Sequence, residues 1–128
     1  HSYIKEVKKF YKIALSENIE NNYIKKRLFE IDYNNFKFEN IDYAYQIFFN
    51  YHDLIFIFSH DLIFFKKWKK ILYLLKKDDW LMFVNAKIDF INNKNKEAIY
   101  KIKKILEISN NKILIKNCKI IINKINYE

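Results

Sequence analysis

The chain has 128 residues and contains neither glycine nor proline. These two residue types are the strongest local interruptions of regular structure, because glycine adopts unusual backbone angles and proline lacks an amide donor. Without them, turns have to be made by Asn, Asp and Ser, and long helices become the default. The sequence therefore predicts helices that continue until a polar cluster ends them.

Apolar residues recur at helical spacing almost throughout the chain. The pattern predicts a first helix up to Ser16, a second that stops at Asn34-Asn35 and a third that begins after Asn40. Further polar positions are expected to open or close the later helices: Ser59 or Asp61, Asp78-Asp79, residues 92–95 and residues 109–111. We therefore predict seven or eight helices.

The segment from residue 52 to residue 62 is ambiguous. Leu54 to Phe58 has the residue types of a short buried strand, but no second alternating run in the chain offers a partner strand. A short, nearly buried helix is the favoured interpretation. The predicted fold class is thus all-α, with antiparallel helical hairpins stacked in a repeat-like array as one domain over 1–128, and with an irregular helical bundle as the alternative.

The net charge of +9 is compatible with nucleic-acid binding. However, nearly all of the positive charge is lysine, and Arg27 is the single arginine, although arginine is the better reader of phosphates and guanine edges. An AT-rich genome also encodes Lys, Asn, Ile, Phe and Tyr in excess. Nucleic acid is therefore not the partner that we expect.

Cysteine usage and hydropathy set two further limits. Cys118 is the single cysteine, which excludes an internal disulfide, and its apolar neighbours predict a buried thiol. No run approaches the length of about 18 apolar residues that a membrane span needs. We expect no transmembrane segment.

The last third of the chain has one helix over 80–91, an Asn-rich turn, and a second helix that opens with Glu97-Ala98-Ile99 and closes at 105–111. This order resembles a tetratricopeptide repeat, a helix-turn-helix unit of about 34 residues. In that family small residues stand where Ala86 and Ala98 do, because two helices approach closely there. The resemblance covers 80–126 and is weaker in the rest of the chain. It implies a non-enzymatic scaffold that binds peptides or proteins.

Few residues offer catalytic or metal-binding chemistry. His52-Asp53 and His60-Asp61 are His-Asp doublets of the kind that metal-dependent phosphohydrolases use, but the further ligands are missing and Asp61 suits a helix cap. Without glycine the chain lacks the phosphate-cradling loops and the nucleophile elbow of common enzyme families. We expect no enzyme activity, no metal site and no cofactor.

Two regions have the composition of a partner-binding surface. Lysines flank Trp68 on both sides, which predicts either a positive patch around an aromatic anchor or a core tryptophan with solvated lysines. The segment from Tyr23 to Tyr51 carries more aromatic residues than a small helical stack can hide. The candidate partner-binding residues are Tyr33, Phe36, Phe38, Tyr45, Lys66, Lys67, Trp68 and Lys70.

The expected function is a non-enzymatic protein–protein interaction module that binds an acidic or peptide segment of another protein. Small helical lipoproteins of bacterial envelopes include tetratricopeptide-like folds, so the resemblance favours the cell envelope or cell surface over the cytoplasm. The alternative is a surface-exposed helical bundle that binds host protein, lipid or polyanion through a basic face. Salt dependence separates the two, since binding to a polyanion weakens steeply as salt rises.

Overall fold

A computed structural model describes residues 2–16, 22–56 and 61–126 of the protein. These residues form seven helices and no strand, which confirms the all-α prediction. The helices are α1 (Ser2–Ser16), α2 (Asn22–Asn34), α3 (Ile41–Ile55), α4 (Leu62–Leu74), α5 (Asp78–Ile91), α6 (Asn95–Ile108) and α7 (Lys112–Asn126). Neighbouring helices pack against each other from α1 to α3 and again from α4 to α7.

The contacts divide the chain into two compact units, residues 1–57 and residues 58–128. The first unit holds α1, α2 and α3, and the second holds α4 to α7. Each unit has a buried apolar interior of its own. The single domain over 1–128 that the length suggests stays a prediction.

In the first unit, α3 begins where its sequence predicts. Asn40 is its N-cap, and the Asn40 side chain accepts a hydrogen bond of 3.1 Å from the Tyr43 backbone N–H. The helix is kinked at Tyr51, where φ is −132° and ψ is 21°. Leu54 and Ile55 are helical and not strand, but they are the last residues of α3 and not a separate short helix. Residues 57–60 lie outside the described part of the chain.

The second unit contains two turns of the same form. After α4 the Lys77 N–H donates to the Leu72 carbonyl, and after α5 the Lys94 N–H donates to the Asp89 carbonyl. The residue before each donor has a positive φ, 57° at Lys76 and 62° at Asn93. Both turns are therefore Schellman motifs, in which a residue in the left-handed conformation ends the helix.

Helix starts in the second unit confirm one predicted cap and correct another. Asp61 caps α4 and accepts a 2.9 Å hydrogen bond from the Phe64 N–H. At α5 the N-cap is Lys77, so Asp78 and Asp79 lie in the first turn and do not cap the helix. Their negative charge there still favours the helix, because the first turn is the positive end of the helix dipole.

The two alanines that the resemblance singles out are fully buried. Ala86 lies on α5 and Ala98 on α6, and these two helices are packed against each other. The side chain of Ser109, at the end of α6, donates a 2.9 Å hydrogen bond to Asp79 at the start of α5. The end of one helix therefore lies beside the start of the other, as an antiparallel hairpin requires.

Candidate functional site

An open groove of about 630 Å³ lies on the outer side of α4. This α4 groove is lined by Lys66, Lys69, Lys70, Tyr73, Leu74 and Leu81. Leu81 belongs to the neighbouring helix α5 and the other five belong to α4. The volume lies within the range of about 300–1,000 Å³ that is typical of ligand-sized clefts.

Helical periodicity explains why these side chains meet. Lys66, Lys70 and Leu74 are spaced four residues apart, which places them on one face of a helix. The opposite face of α4 is buried and holds the unit together through Phe65, Trp68, Ile71 and Leu72. Packing on one side thus fixes a row of lysines on the other.

The groove also exposes large apolar side chains. Tyr73 is 72% exposed and Leu74 is 63% exposed, and Ile63 on the same helix is 66% exposed. Within the described residues, no ion pair involves Lys66, Lys69 or Lys70. The groove therefore offers cationic groups beside apolar surface, a combination suited to an anionic partner with an apolar side chain.

Of the four candidate partner-binding residues on α4, the three lysines are exposed and Trp68 is buried. Lys66 and Lys70 line the groove, and Lys67 is exposed on the same helix. Trp68 is fully buried, at 0% exposure, so the core interpretation holds for this side chain and it cannot serve as the exposed anchor. Tyr73 and Leu74 are the exposed apolar side chains beside these lysines. Their position one turn after Lys69 and Lys70 is the signal that would have identified them.

The predicted aromatic residues of the first unit fall into two groups. Tyr33, Phe36 and Phe38 come together at the turn between α2 and α3, with ring centroids 4.4 to 6.3 Å apart. Each of these three side chains is half-buried. Their mutual packing supports the turn, and they do not form an open surface.

Tyr45 lies apart from that cluster, on the exposed face of α3. Its ring stacks on the ring of Phe49 at a centroid distance of 6.1 Å and an angle of 15°. Both rings are exposed to solvent. Sequence reasoning named Tyr45 but missed Phe49, although its spacing of four residues places it one turn further along the same helix.

A buried carboxylate organises the polar contacts of the first unit. Asp32 on α2 forms an ion pair with Lys8 on α1, and it accepts a 2.5 Å hydrogen bond from the Tyr51 hydroxyl on α3. The Tyr43 hydroxyl donates to the Asp32 backbone carbonyl at 3.1 Å. These four residues, the Asp32 cluster, connect all three helices of the unit.

The environment of the Asp32 cluster disfavours ionised tyrosines. Burial, followed by the hydrogen bond to Asp32 and by its negative charge, raises the pKa of Tyr51 well above the ordinary value. Burial and the same carboxylate raise the pKa of Tyr43. Both hydroxyls therefore remain proton donors, which suits a structural role.

The described members of the two His-Asp doublets, His52, Asp53 and Asp61, have separate contacts. His52 contacts the Phe49 carbonyl at 3.3 Å, and Asp53 forms an ion pair with Lys25. Asp61 caps α4, and His60 lies outside the described residues. In residues 2–16, 22–56 and 61–126, no cluster of His, Cys, Asp and Glu has the arrangement of a metal site.

Cys118 is fully buried in the second unit, as its apolar neighbours predict. Burial raises the pKa of its thiol to about 11. Nearby, burial and the charge of Lys124 lower the pKa of Lys87, whose ammonium lies 5.6 Å from the Phe83 ring centroid. A protonated, enclosed thiol is a poor nucleophile, so its role here is packing.

No known protein family, curated protein or solved structure matches this chain. Among the helices of the described segments, none combines the length and the hydropathy of a membrane span.

Proposed function

We propose that this protein is a non-enzymatic interaction module that binds an acidic segment of another protein in the α4 groove. The observation that carries the proposal is the groove itself, in which three lysines surround Tyr73, Leu74 and Leu81. An acidic segment with one apolar side chain matches both features of that surface. The proposal assigns no catalytic step to the chain.

The apolar and the charged parts of the groove have different roles in this proposal. Burial of apolar area supplies most of the affinity, at roughly 25 cal/mol for each Å² removed from water. The lysines are exposed, so they add little energy each but select an acidic partner and accelerate its association. Removal of an apolar group should therefore weaken binding at any salt concentration, whereas removal of lysines should abolish its salt dependence.

A tetratricopeptide-like scaffold is the finer classification that we propose. Buried Ala86 and Ala98 on a packed helical hairpin support it, and so do the two Schellman turns at Lys76 and Asn93, seventeen residues apart. That spacing equals half of the repeat length of about 34 residues. A place among the lipoproteins of a bacterial envelope is part of the same proposal and rests on the resemblance alone.

A second candidate function is the binding of an anionic lipid surface or polyanion through basic faces. The observation that favours it is a shallow depression of about 480 Å³ on α1, lined by Lys5, Lys8, Lys9, Lys12 and Ile13. Lys8 is engaged by Asp32, and the other three lysines are exposed. Such a row of lysines attracts polyanions of many kinds, because it is positively charged but too open to select one ligand by its shape.

The experiment is a fluorescence-anisotropy titration of the full chain with a labelled acidic peptide that carries one central Phe. We expect the peptide to bind, and the same peptide with Ala in place of Phe to bind at least tenfold more weakly. The Lys66→Glu/Lys70→Glu variant should lose binding. The matched control is Lys103→Glu/Lys104→Glu, which makes the same charge change at two exposed positions of α6.

Two results would contradict the proposal. The first is equal loss of binding in the α6 control, because binding would then follow net charge and not the groove. The second is tight binding of polyphosphate or of phosphatidylserine vesicles, lost at moderate salt, together with no preference for the peptide that contains Phe. That pattern would establish the second candidate function.

A further inference from the structure

The basic residues of the chain are distributed unevenly along it. Residues 38–65 contain neither Lys nor Arg, although the whole chain has 24 of them. Helix α3 lies entirely inside this segment. The same chain therefore has a lysine-rich α4 groove and a helix, α3, that carries neither Lys nor Arg.

The exposed face of α3 is apolar. Ile41, Tyr45 and Phe49 follow one another at intervals of four residues and are 38%, 46% and 66% exposed. We refer to these three residues as the α3 stripe. Side chains at this spacing lie on one face of a helix, and the stacking of Tyr45 on Phe49 holds the two rings together.

Carboxylates accompany the α3 stripe. Asp42 and Glu39 are exposed at its N-terminal end, and neither takes part in an ion pair within the described residues. Asp53, by contrast, is already paired with Lys25. The α3 stripe is thus an apolar, aromatic helix face with two carboxylates at its N-terminal end, which complements the lysines and apolar side chains of the α4 groove.

The α3 stripe and the α4 groove also match in length. From Ile41 to Phe49 the helix advances by about 12 Å, and it advances by the same distance from Lys66 to Leu74, given a rise of about 1.5 Å per residue. Exposed apolar side chains are spread along the stripe, whereas in the groove Tyr73 and Leu74 lie at one end and lysines occupy the rest of α4. A contact between them would cover apolar surface on both sides at once.

We propose that the α3 stripe of one copy of this chain occupies the α4 groove of a second copy. The inference rests on the proposed function, since it names the acidic segment that the groove binds. The two surfaces differ, so each contact joins a stripe of one copy to a groove of another. Such contacts build open chains or closed rings, of which a reciprocal pair of copies is the smallest.

A single helix against a groove is a small interface. Stable complexes usually bury more than about 1,000 Å² in total, and smaller contacts are weak or transient. We therefore expect association that depends on concentration and weakens with salt. The lysines give the salt dependence, because exposed charges are screened.

The experiment is sedimentation velocity of the full chain over a wide range of protein concentration. One variant, Tyr45→Ser/Phe49→Ser, disables the α3 stripe, and a second, Lys66→Glu/Lys70→Glu, disables the α4 groove. Each variant alone should remain monomeric where the wild type associates. Mixed together, the two variants should form a one-to-one complex that grows no further, because only one intact stripe and one intact groove remain.

Controls separate this result from misfolding and from nonspecific association. All four substituted side chains are exposed, so circular dichroism melts of both variants should match the wild type. Ile108→Ser, which removes an exposed apolar side chain from α6, should associate as the wild type does. The acidic peptide with the central Phe should dissociate the wild-type assembly, because it competes for the same groove.

Three outcomes overturn the inference: a chain that is monomeric at every concentration, association that both variants retain, or two variants that fail to combine in the mixture. A monomeric chain that still binds the acidic peptide overturns the self-association alone and leaves the proposed function standing. A chain that associates without binding the peptide contradicts the proposed function instead. The two failures are therefore distinguishable.

Discussion

The two units of this protein both have apolar interiors, but they differ in the polar contacts between their helices. In the first unit, side chains from α1 and α3 converge on the Asp32 carboxylate of α2. In the second unit, the polar contacts between α5 and α6 are separate pairs, Lys101 with Asp89 and Ser109 with Asp79. Since helices are the default for a chain without glycine and proline, the units differ mainly in what fixes the helices against each other.

This difference has consequences for stability. Removal of a side chain from an apolar interior costs stability in proportion to the cavity that is left. A buried carboxylate depends on each of its partners and on their protonation states. Substitutions and pH changes should therefore act through different residues in the two units. Both tryptophans, Trp68 and Trp80, belong to the second unit, so their fluorescence reports on that unit.

The largest effect is expected from a cavity in the apolar interior of the second unit. Ile102 is fully buried on α6, and Ile102→Ala should cost about 2–5 kcal/mol in the free energy of unfolding. Urea titration followed by tryptophan fluorescence measures it. Ile108→Ala on the same helix is the control and should change stability by less than about 0.5 kcal/mol, because Ile108 is exposed. Equal effects of the two substitutions would contradict the packing described for α6.

The next largest effect is expected at the carboxylate of the first unit. Asp32→Ala leaves the Tyr51 hydroxyl buried without its acceptor and removes the ion pair with Lys8, at a cost of about 2–3 kcal/mol. Asp32→Asn should cost less, since an amide oxygen can still accept from Tyr51. The measurement is urea titration followed by far-ultraviolet circular dichroism, with Asp42→Ala, at an exposed position, as the control.

The same variant tests whether residues 1–128 unfold as one domain. If they do, Asp32→Ala should shift the tryptophan transition as much as the circular dichroism transition. An unchanged tryptophan transition would contradict the one-domain prediction and establish two separate folding units.

Alkaline pH should affect the second unit through Cys118. Its thiol pKa is raised by burial from 9.0 to about 11 in the folded protein. A group with a raised folded pKa contributes stability that is fully present below the unfolded value and is lost as pH rises through the folded value. We therefore expect a loss on the order of 1–2 kcal/mol between these two pH values.

The control for this pH dependence is Cys118→Ala. This substitution should lower stability at all pH values, because it removes a buried side chain, but the slope assigned to the thiol should vanish. Stability measured by urea titration at several pH values gives the slope. An identical slope in wild type and variant would rule out the thiol as its source.

A smaller effect is expected when only one partner of Asp32 is removed. Tyr51→Phe deletes the hydroxyl that donates to Asp32 but leaves the ion pair with Lys8, so we expect a loss of about 1–1.5 kcal/mol. Tyr43→Phe should cost less, because Tyr43 donates to a backbone carbonyl and is less buried. Thermal melts of the two variants rank them. A larger cost for Tyr43 would mean that the backbone contact, not the carboxylate, joins α2 to α3.

The sequence predicted those features of the fold that depend on neighbouring residues. The caps Asn40 and Asp61 and the end of α2 were predictable, because capping and termination are local. The Asp32 cluster was not, because Lys8 and Tyr51 reach Asp32 only after three helices have packed.

The residues of the candidate site likewise divide into those that local spacing predicts and those that depend on packing. Lys66 and Lys70 were predictable from helical spacing, which places them on one face of α4. The flanking lysines left the burial of Trp68 open, but its helical spacing from Phe65 and Leu72 favoured the core. The sequence did not predict that Leu81 lines the groove. Leu81 lies on the next helix and reaches the groove only because α5 packs on α4.

The smallest predicted effect concerns the turns of the second unit, which depend on backbone conformation. Lys76 and Asn93 occupy equivalent left-handed positions, with φ of 57° and 62°. A residue with a β-carbon pays about 1–2 kcal/mol there, and asparagine tolerates the conformation better than lysine does. Lys76→Gly should therefore stabilise the unit by up to about 1 kcal/mol, once the extra chain entropy of glycine is subtracted.

Asn93→Gly should change stability less than Lys76→Gly, because asparagine already suits the position. Lys104→Gly is the control: Lys104 is an exposed residue in the interior of α6, where the backbone is helical, so glycine brings no relief there and its chain entropy should destabilise the unit by about 0.5–1 kcal/mol. Tryptophan fluorescence in urea measures all three variants. If Lys76→Gly and Lys104→Gly changed stability in the same direction, the left-handed backbone would not be what ends α4. The turn would then depend on side-chain contacts, as the first unit does at Asp32.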